Sequence, residues 1–276
     1  MRAALLQLTS SDQPEENLEA VLALVDQAVA GGADLVLTPE VTNCVSASRK
    51  HQHEVLKSEN DDIVLAGLRN AARTKRISIV VGSLAVKTDD PDGRFANRCF
   101  VIGSDGTIRA RYDKIHMFDV QISDSETYRE SDGFRPGGHA VTVDVAGATL
   151  GLSICYDIRF AALYRALAKA GAQVLTVPAA FSPVTGAAHW HSLLRARAIE
   201  TGCYVLAPAQ TGAHPHSLGR ERSTYGHSLA VSPWGDIIAD AGTVTGVTFV
   251  DLDLSEVEQA RRRVPALDHD RPFVVS

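Results

Sequence analysis

Short apolar runs alternate with amphipathic stretches along the whole chain, a pattern that predicts strands interleaved with helices. Residues 3–8 read as a strand. Pro14 opens a helix that runs to about Ala30: proline suits a first helical turn, Glu15 and Glu16 favour its positive end, and Gly31 stops it. Residues 35–38 form a buried strand that ends at Pro39-Glu40. A helix over 61–75, a buried strand over 77–86 and a strand over 98–102 follow. Asp105-Gly106 is a hairpin signal that pairs 98–102 with 107–112, and residues 141–145 and 149–154 form another hairpin around Ala146-Gly147. Further on come a helix over 160–170, a strand over 172–177, a helix over 189–201 and a strand over 204–209. Two late strands, 228–232 and 246–252, precede a charged helix that starts a C-terminal tail of about 255–276.

One internal echo sharpens this picture. Ala30-Gly31-Gly32-Ala33-Asp34-Leu35-Val36-Leu37-Thr38-Pro39 is similar to Lys169-Ala170-Gly171-Ala172-Gln173-Val174-Leu175-Thr176-Val177-Pro178. Each is a helix end, a glycine turn, a buried strand and a proline. Two such units suggest a sheet with helices against it, built twice. Hairpins mixed with βα units predict a mixed-sheet α/β or layered α+β sandwich. No linker rich in proline, glycine or serine interrupts the chain, so a single domain over 1–276 is expected.

Composition adds exclusions. Hydrophobic residues at 45% and charged residues at 22% are ordinary for a globular chain. A net charge of -6, with aromatics at 6%, disfavours nucleic-acid binding. The basic run Arg261-Arg262-Arg263 reads as a solvated helix end. The apolar N-terminal stretch is too short for a signal peptide, and no run reaches the ~20 residues of a membrane span. A soluble, cytoplasmic protein without a membrane partner is expected. Cys44, Cys99, Cys155 and Cys203 are scattered and form no CxxC pair, which fits a reducing compartment.

Three reactive side chains occupy similar positions. Glu40 follows the strand 35–38, Lys114 follows 107–112, and Cys155 follows 149–154 and precedes a helix. Sites collect at the carboxyl ends of strands in open sheets. Backbone N–H groups and a nearby cation depress a thiol pKa and stabilise an oxyanion. Taken singly, each residue has a plainer reading: a core thiol, a capping carboxylate, a solvated lysine. His189 and His191 are two apart on a helix and point away from each other, and no HxxxH or HExxH spacing exists. His214 and His216 sit in a loop that offers a metal only opportunistic contacts, so no metal site is predicted.

The flanking residues carry more. Leu37-Thr38-Pro39-Glu40, Tyr112-Asp113-Lys114-Ile115-His116 and Gly151-Leu152-Ser153-Ile154-Cys155-Tyr156-Asp157-Ile158-Arg159-Phe160 resemble, in order, the three signature segments of the nitrilase superfamily. Arg129-Glu130-Ser131 ahead of Phe134-Arg135-Pro136-Gly137, His189-Trp190 leading into Leu194–Glu200, Tyr225-Gly226-His227-Ser228 and Ser232-Pro233-Trp234-Gly235 extend the resemblance, which runs from residue 3 to about 254. The Nit amidase branch, with its deaminated-glutathione amidases and ω-amidases, is the part most resembled. One departure is His191, where many relatives carry an acidic residue.

The resemblance implies a four-layer α-β-β-α sandwich and a homodimer or higher homo-oligomer. It implies a hydrolase of a small carboxylate-bearing amide, without metal or organic cofactor. Cys155 would be the nucleophile, Glu40 the general base, and Lys114 with the Tyr156 N–H the oxyanion holders. Glu130 would support them. Phe181 and His189 are candidate pocket residues, while Asp157 and Arg159 are expected to hold the turn by ion pairing. Cys44, Cys99 and Cys203 are expected to be core thiols. An N-carbamoyl compound or a nitrile is the alternative substrate, and a non-catalytic binding protein on the same fold is the alternative of another class.

Overall fold

The computed structural model of the chain describes residues 1–122 and 127–275. Its first half contains β1 (Arg2–Gln7), α1 (Pro14–Ala30), β2 (Leu35–Leu37), α2 (Arg49–Val55), α3 (Ile63–Lys75), β3 (Ser78–Val86), β4 (Ala96–Ile102) and β5 (Ile108–Asp113). A small hairpin, β6 (Asp119–Gln121) and β7 (Thr127–Arg129), precedes β8 (Thr142–Val145), β9 (Ala148–Leu152), α4 (Ala161–Lys169), β10 (Val174–Thr176), α5 (Pro183–Thr201) and β11 (Tyr204–Ala207). The chain ends with β12 (Thr211–Ala213), β13 (Ser223–Tyr225), β14 (Leu229–Val231), β15 (Ile237–Asp240), β16 (Gly246–Asp251) and α6 (Ser255–Arg263).

Two mixed sheets form the frame, with strand orders β16-β1-β2-β3-β4-β5 and β15-β14-β11-β10-β9-β8. In each, three central strands run parallel: β1, β2 and β3 in one, β9, β10 and β11 in the other. The echoed segments are the αβ halves of β1-α1-β2 and β9-α4-β10. The expected hairpins β4–β5 and β8–β9 are antiparallel, as read from their turns.

Period-two alternation explains the layering. In the first sheet Ala3, Leu5, Leu35, Leu37, Cys99 and Val101 face a core shared with the second sheet. Their neighbours Ala4, Leu6, Val36, Phe100 and Ile102 face Val21, Val25, Leu65 and Leu68 of α1 and α3. The second sheet packs its outer face against Leu163 and Leu167 of α4 and Trp190 and Leu194 of α5. The result is a four-layer α-β-β-α sandwich with two mixed sheets.

The structure corrects several expected elements. α5 begins at Pro183 rather than at 189, with proline in its first turn. Helix α2 was not expected: Arg49–Val55 lacks an apolar period, and the Ser48 side chain caps it by accepting the His51 N–H. The hairpins β6–β7 and β12–β13 and the strand β15 were not expected either. Arg261 is no solvated helix end: it donates to Thr201 O at 3.1 Å and to Ala172 O at 2.7 Å. Among the described residues no helix is long and apolar enough to cross a membrane.

Gly82 shows how the frame holds the segment after β2. The register of β3 against β4 shifts between Val81 and Leu84. There Gly82 N–H donates to Thr38 Oγ1 at 3.1 Å, and Ser83 Oγ accepts the Val41 N–H at 2.8 Å. A Cβ at Gly82 would meet Thr38 O at 2.0 Å, Pro178 Cβ at 2.5 Å and Pro39 O at 2.6 Å. Two of these contacts are rigid backbone, so Gly82→Ala is expected to cost about 1–3 kcal/mol, read by urea denaturation.

Candidate functional site

Glu40, Lys114, Glu130 and Cys155 meet at one cavity of about 310 Å³. The first sheet supplies Glu40 after β2 and Lys114 directly after β5, and the second supplies Cys155 after β9. Glu130 opens a single 3-10 turn after the small hairpin.

Lys114 is buried between two carboxylates. Its Nζ donates to Glu40 Oε1 at 2.9 Å and to Glu130 Oε1 and Oε2 at 2.9 and 2.8 Å. Glu40 Oε2 accepts the Ala180 N–H at 2.8 Å, and Glu130 Oε2 accepts the Phe118 N–H at 2.7 Å. Asn97, on β4, donates from Nδ2 to Glu40 Oε1 at 2.9 Å and to Glu130 Oε1 at 3.3 Å. The bonds made to Glu40 favour its charged form.

Cys155 adjoins this group, its thiol lining the same cavity as the Glu40 carboxylate and feeling its charge. Its φ of +48° is the left-handed region, which costs an L-residue about 1–2 kcal/mol. The strain is held by the Cys155 N–H, which donates to Pro178 O at 2.9 Å, and by a 3-10 turn over Cys155–Arg159. Pro178, from the second echoed segment, therefore both anchors the thiol and packs near Gly82.

Burial and charge set the protonation states. Burial pushes the Glu40 carboxyl up, but the Lys114 ammonium beside it outweighs that and holds it below its ordinary value. Burial alone would push Lys114 down, yet Glu130 and Glu40 raise it, so it stays an ammonium ion. Burial, and then the neighbouring Glu40 charge, push the Cys155 thiol well up, against the opposing pull of Lys114. The resting set is a thiol, a charged carboxylate beside it, and a fixed cation. Such a set can pass a thiol proton to the carboxylate as the sulfur attacks, without a standing thiolate.

Asp157 braces the turn from below. Its Oδ2 accepts from Tyr112 OH at 2.6 Å and from Ile154 N–H at 2.9 Å, and its Oδ1 accepts the His116 N–H at 3.0 Å. His116 Nδ1 lies 2.7 Å from the same oxygen. Asp157 thus ties β5, which leads into Lys114, to the turn that carries Cys155.

Tyr156 and Phe181 line the cavity. His189 does not: it sits on the exposed face of α5, where Nδ1 lies 3.2 Å from Arg159 Nη2. Arg159 does not pair with Asp157 as expected but lies over the Phe181 and Tyr156 rings. His214 is buried, with its ring nitrogens 2.7 Å from Ser10 O and 2.8 Å from Thr224 Oγ1, so it offers a metal nothing. Cys44, Cys99 and Cys203 are buried free thiols. The sequence reading missed Asn97, the Ala180 N–H and Arg222. Asn97 had left one weak signal, an amide next to Arg98 between the apolar pairs Phe95-Ala96 and Cys99-Phe100. The backbone donor and the distant arginine had left none.

Comparison with known proteins places this geometry in a family. The carbon-nitrogen hydrolase model matches residues 2–262. The chain is 39% identical to a deaminated glutathione amidase of Yersinia enterocolitica, over 99% of this chain and 93% of that one. Among solved structures it is similar to the NitFhit protein of C. elegans, with TM-score 0.89 and 36% identity, covering 98% of this chain and 65% of that one. It is also similar to Saccharomyces cerevisiae Nit3, a member of branch 10 of the nitrilase superfamily, with TM-score 0.83 and 28% identity over 96% of this chain and 94% of that one. The chain belongs to the carbon-nitrogen hydrolase family and is a hydrolase of carbon–nitrogen bonds other than peptide bonds.

Proposed function

We propose that the chain hydrolyses a small carboxylate-bearing amide, of the deaminated-glutathione or ω-keto-amide type, through a Cys155 thioester. The observation that carries the reading is the buried Lys114 between Glu40 and Glu130, with the Cys155 thiol against Glu40. Glu40 takes the thiol proton as Sγ bonds to the amide carbon. The carbonyl electrons move to oxygen, where the Lys114 ammonium and the Tyr156 N–H hold the oxyanion. Collapse breaks the C–N bond, and the proton on Glu40 leaves with ammonia or the amine. Glu40 then takes a proton from water, which attacks the thioester. The proton returns to sulfur as the acid departs. Glu130 keeps Lys114 charged and in place.

Arginine chemistry supports a carboxylate on the substrate. Beyond the central carboxylates and lysine, the cavity lining carries Arg49, Arg129, Arg220 and Arg222 against Asp132 and Glu221. Arg222 is half-buried, with Nη2 3.4 Å from Ala180 O. The relative named deaminated glutathione amidase points the same way. We expect Arg222→Met to raise KM for the carboxylate-bearing amide about ten-fold, with a smaller change for an uncharged amide of equal length. Steady-state kinetics on the two substrates checks this.

The whole reading is tested by ammonia or amine release from deaminated glutathione, ω-amides of keto acids, N-carbamoyl amino acids and nitriles. Turnover confined to the last two moves the substrate. No turnover, with Cys155 alkylated no faster than the other thiols, favours a binding protein. The core shared by both sheets supports one functional unit, and the free thiols support a cytoplasmic home. Ile199 packed against the Trp234-Gly235 turn leaves an exposed apolar patch that supports self-association.

A further inference from the structure

A second group of ligand-type side chains lies outside the cavity lining. His191 of α5, His227 and Asp240 at the end of β15 bring one ligand atom each within 4.8 Å of one another. His191 Nε2 is 3.0 Å from Asp240 Oδ2, and His227 Nδ1 is 2.9 Å from Asp240 Oδ1. Two ligands bound about 2.0–2.1 Å from a zinc ion stand roughly 3 Å apart, so the histidine–carboxylate spacings already match edges of a coordination shell.

The convergence is built, not incidental to one helix or strand. Asp240 Oδ1 also accepts the Gly242 N–H at 2.9 Å, which fixes the carboxylate. His227 sits at φ +56°, a left-handed conformation that is unfavourable for a bulky residue. Its N–H donates to Gly242 O at 2.6 Å, its carbonyl accepts the Trp190 indole N–H at 2.9 Å, and its ring stacks on Tyr225 at 4.5 Å. The surroundings hold a strained backbone that aims Nδ1 at Asp240. The three side chains are 32%, 24% and 32% exposed, so an ion can enter and water can complete its shell.

We propose that His191, His227 and Asp240 form a binding site for one borderline divalent transition metal ion, zinc in the first instance. Two imidazoles and a carboxylate suit zinc, cobalt or nickel better than magnesium or calcium, which prefer oxygen. A charged carboxylate only accepts, so in the metal-free protein each facing ring nitrogen donates N–H to Asp240. On binding, each nitrogen turns a lone pair to the metal. The displaced proton moves to the other ring nitrogen of a neutral imidazole, or goes to solvent from a charged one. No electron is transferred. The site stands independently of the hydrolytic reading, since none of the three residues lines the cavity. It ties α5 to β15, and Trp190, next to His191, packs 5.0 Å from the cavity residue Phe181.

The test uses the full chain without a histidine tag, stripped with EDTA and dialysed against zinc chloride, with cobalt chloride as a spectroscopic probe. One saturable zinc per chain, visible cobalt absorption bands and a zinc-dependent rise in Tm are expected. His191→Ala and Asp240→Asn should each weaken binding at least about ten-fold, with the EDTA-treated hydrolase activity and Tm of His191→Ala close to the parent. Cys155→Ser should keep the stoichiometry. Three results overturn the proposal: no saturable zinc in the parent, undiminished zinc in His191→Ala, or loss of zinc in Cys155→Ser.

Discussion

Cys155→Ala is expected to lower amide turnover roughly 10⁴-fold or more while leaving the chain folded. The thiol supplies the only bond between the protein and the substrate carbon in the proposed route, and the removed atom is one sulfur at the cavity wall. Cys155 is 8% exposed, so its loss enlarges an existing cavity more than it opens a new void. A thermal melt close to the parent then separates chemistry from folding. Glu40→Gln should fall by a comparable order, about 10³-fold or more, for a different reason. The glutamine oxygen can still accept the Ala180 N–H, but the amide cannot take the thiol proton. Because burial keeps the resting thiol protonated and Glu40 is the group that takes its proton, alkylation of Cys155 by iodoacetamide should slow in Glu40→Gln as well. A folded Cys155→Ala protein with unchanged turnover would sink the mechanism.

Lys114→Met is expected to damage both stability and activity. It leaves Glu40 and Glu130 facing each other without their shared cation. Removing one partner of a buried ion pair typically costs about 3–5 kcal/mol. With the cation gone, the main force opposing burial at Glu40 is lost, and its pKa rises from its lowered value although the Ala180 and Asn97 bonds remain. The acid limb of kcat/KM should therefore move up toward neutral pH, which is the signature that separates this effect from simple unfolding. The sign in the parent is the reverse. The lowered Glu40 contributes stability above its unfolded value of 4.5, lost as pH falls through the folded value. The raised Lys114 contributes stability below its unfolded value of 10.5, lost as pH rises through the folded one. Denaturation midpoints of the two proteins should differ most between those limits, and Lys114→Met with Glu130→Gln should recover part of the loss.

Much of this molecule is legible in the chain because both faces of its sheets are buried. Strands such as β1 and β3 then read as unbroken apolar runs, and the hairpins announce themselves by their turns. Helix α2 was illegible because Arg49–Val55 has almost no apolar residue, and its cap and neighbours decide its conformation. The start of α5 was hidden by Ser182-Pro183 and Thr185-Gly186, which read as a loop but serve as a helix entry and a close contact. Gly186 needs its missing side chain, since a Cβ would lie 2.3 Å from the Tyr225 ring. Glu40, Lys114 and Cys155 were findable at strand ends. Asn97 and Asp157 were not assigned their contacts, because their partners lie 57 and 45 residues away, beyond any local spacing.

The two sheets contribute unequal halves of the site, with the carboxylate and cation on one and the thiol on the other. Neither half is chemically unusual alone. A chain in which only the first sheet is formed has no activated sulfur. One in which the sheets have come apart presents Cys155 as an ordinary cysteine. Nucleophilic power thus exists only while the two sheets are docked, so a copy of this hydrolase whose sheets separate disarms itself as it exposes their shared core.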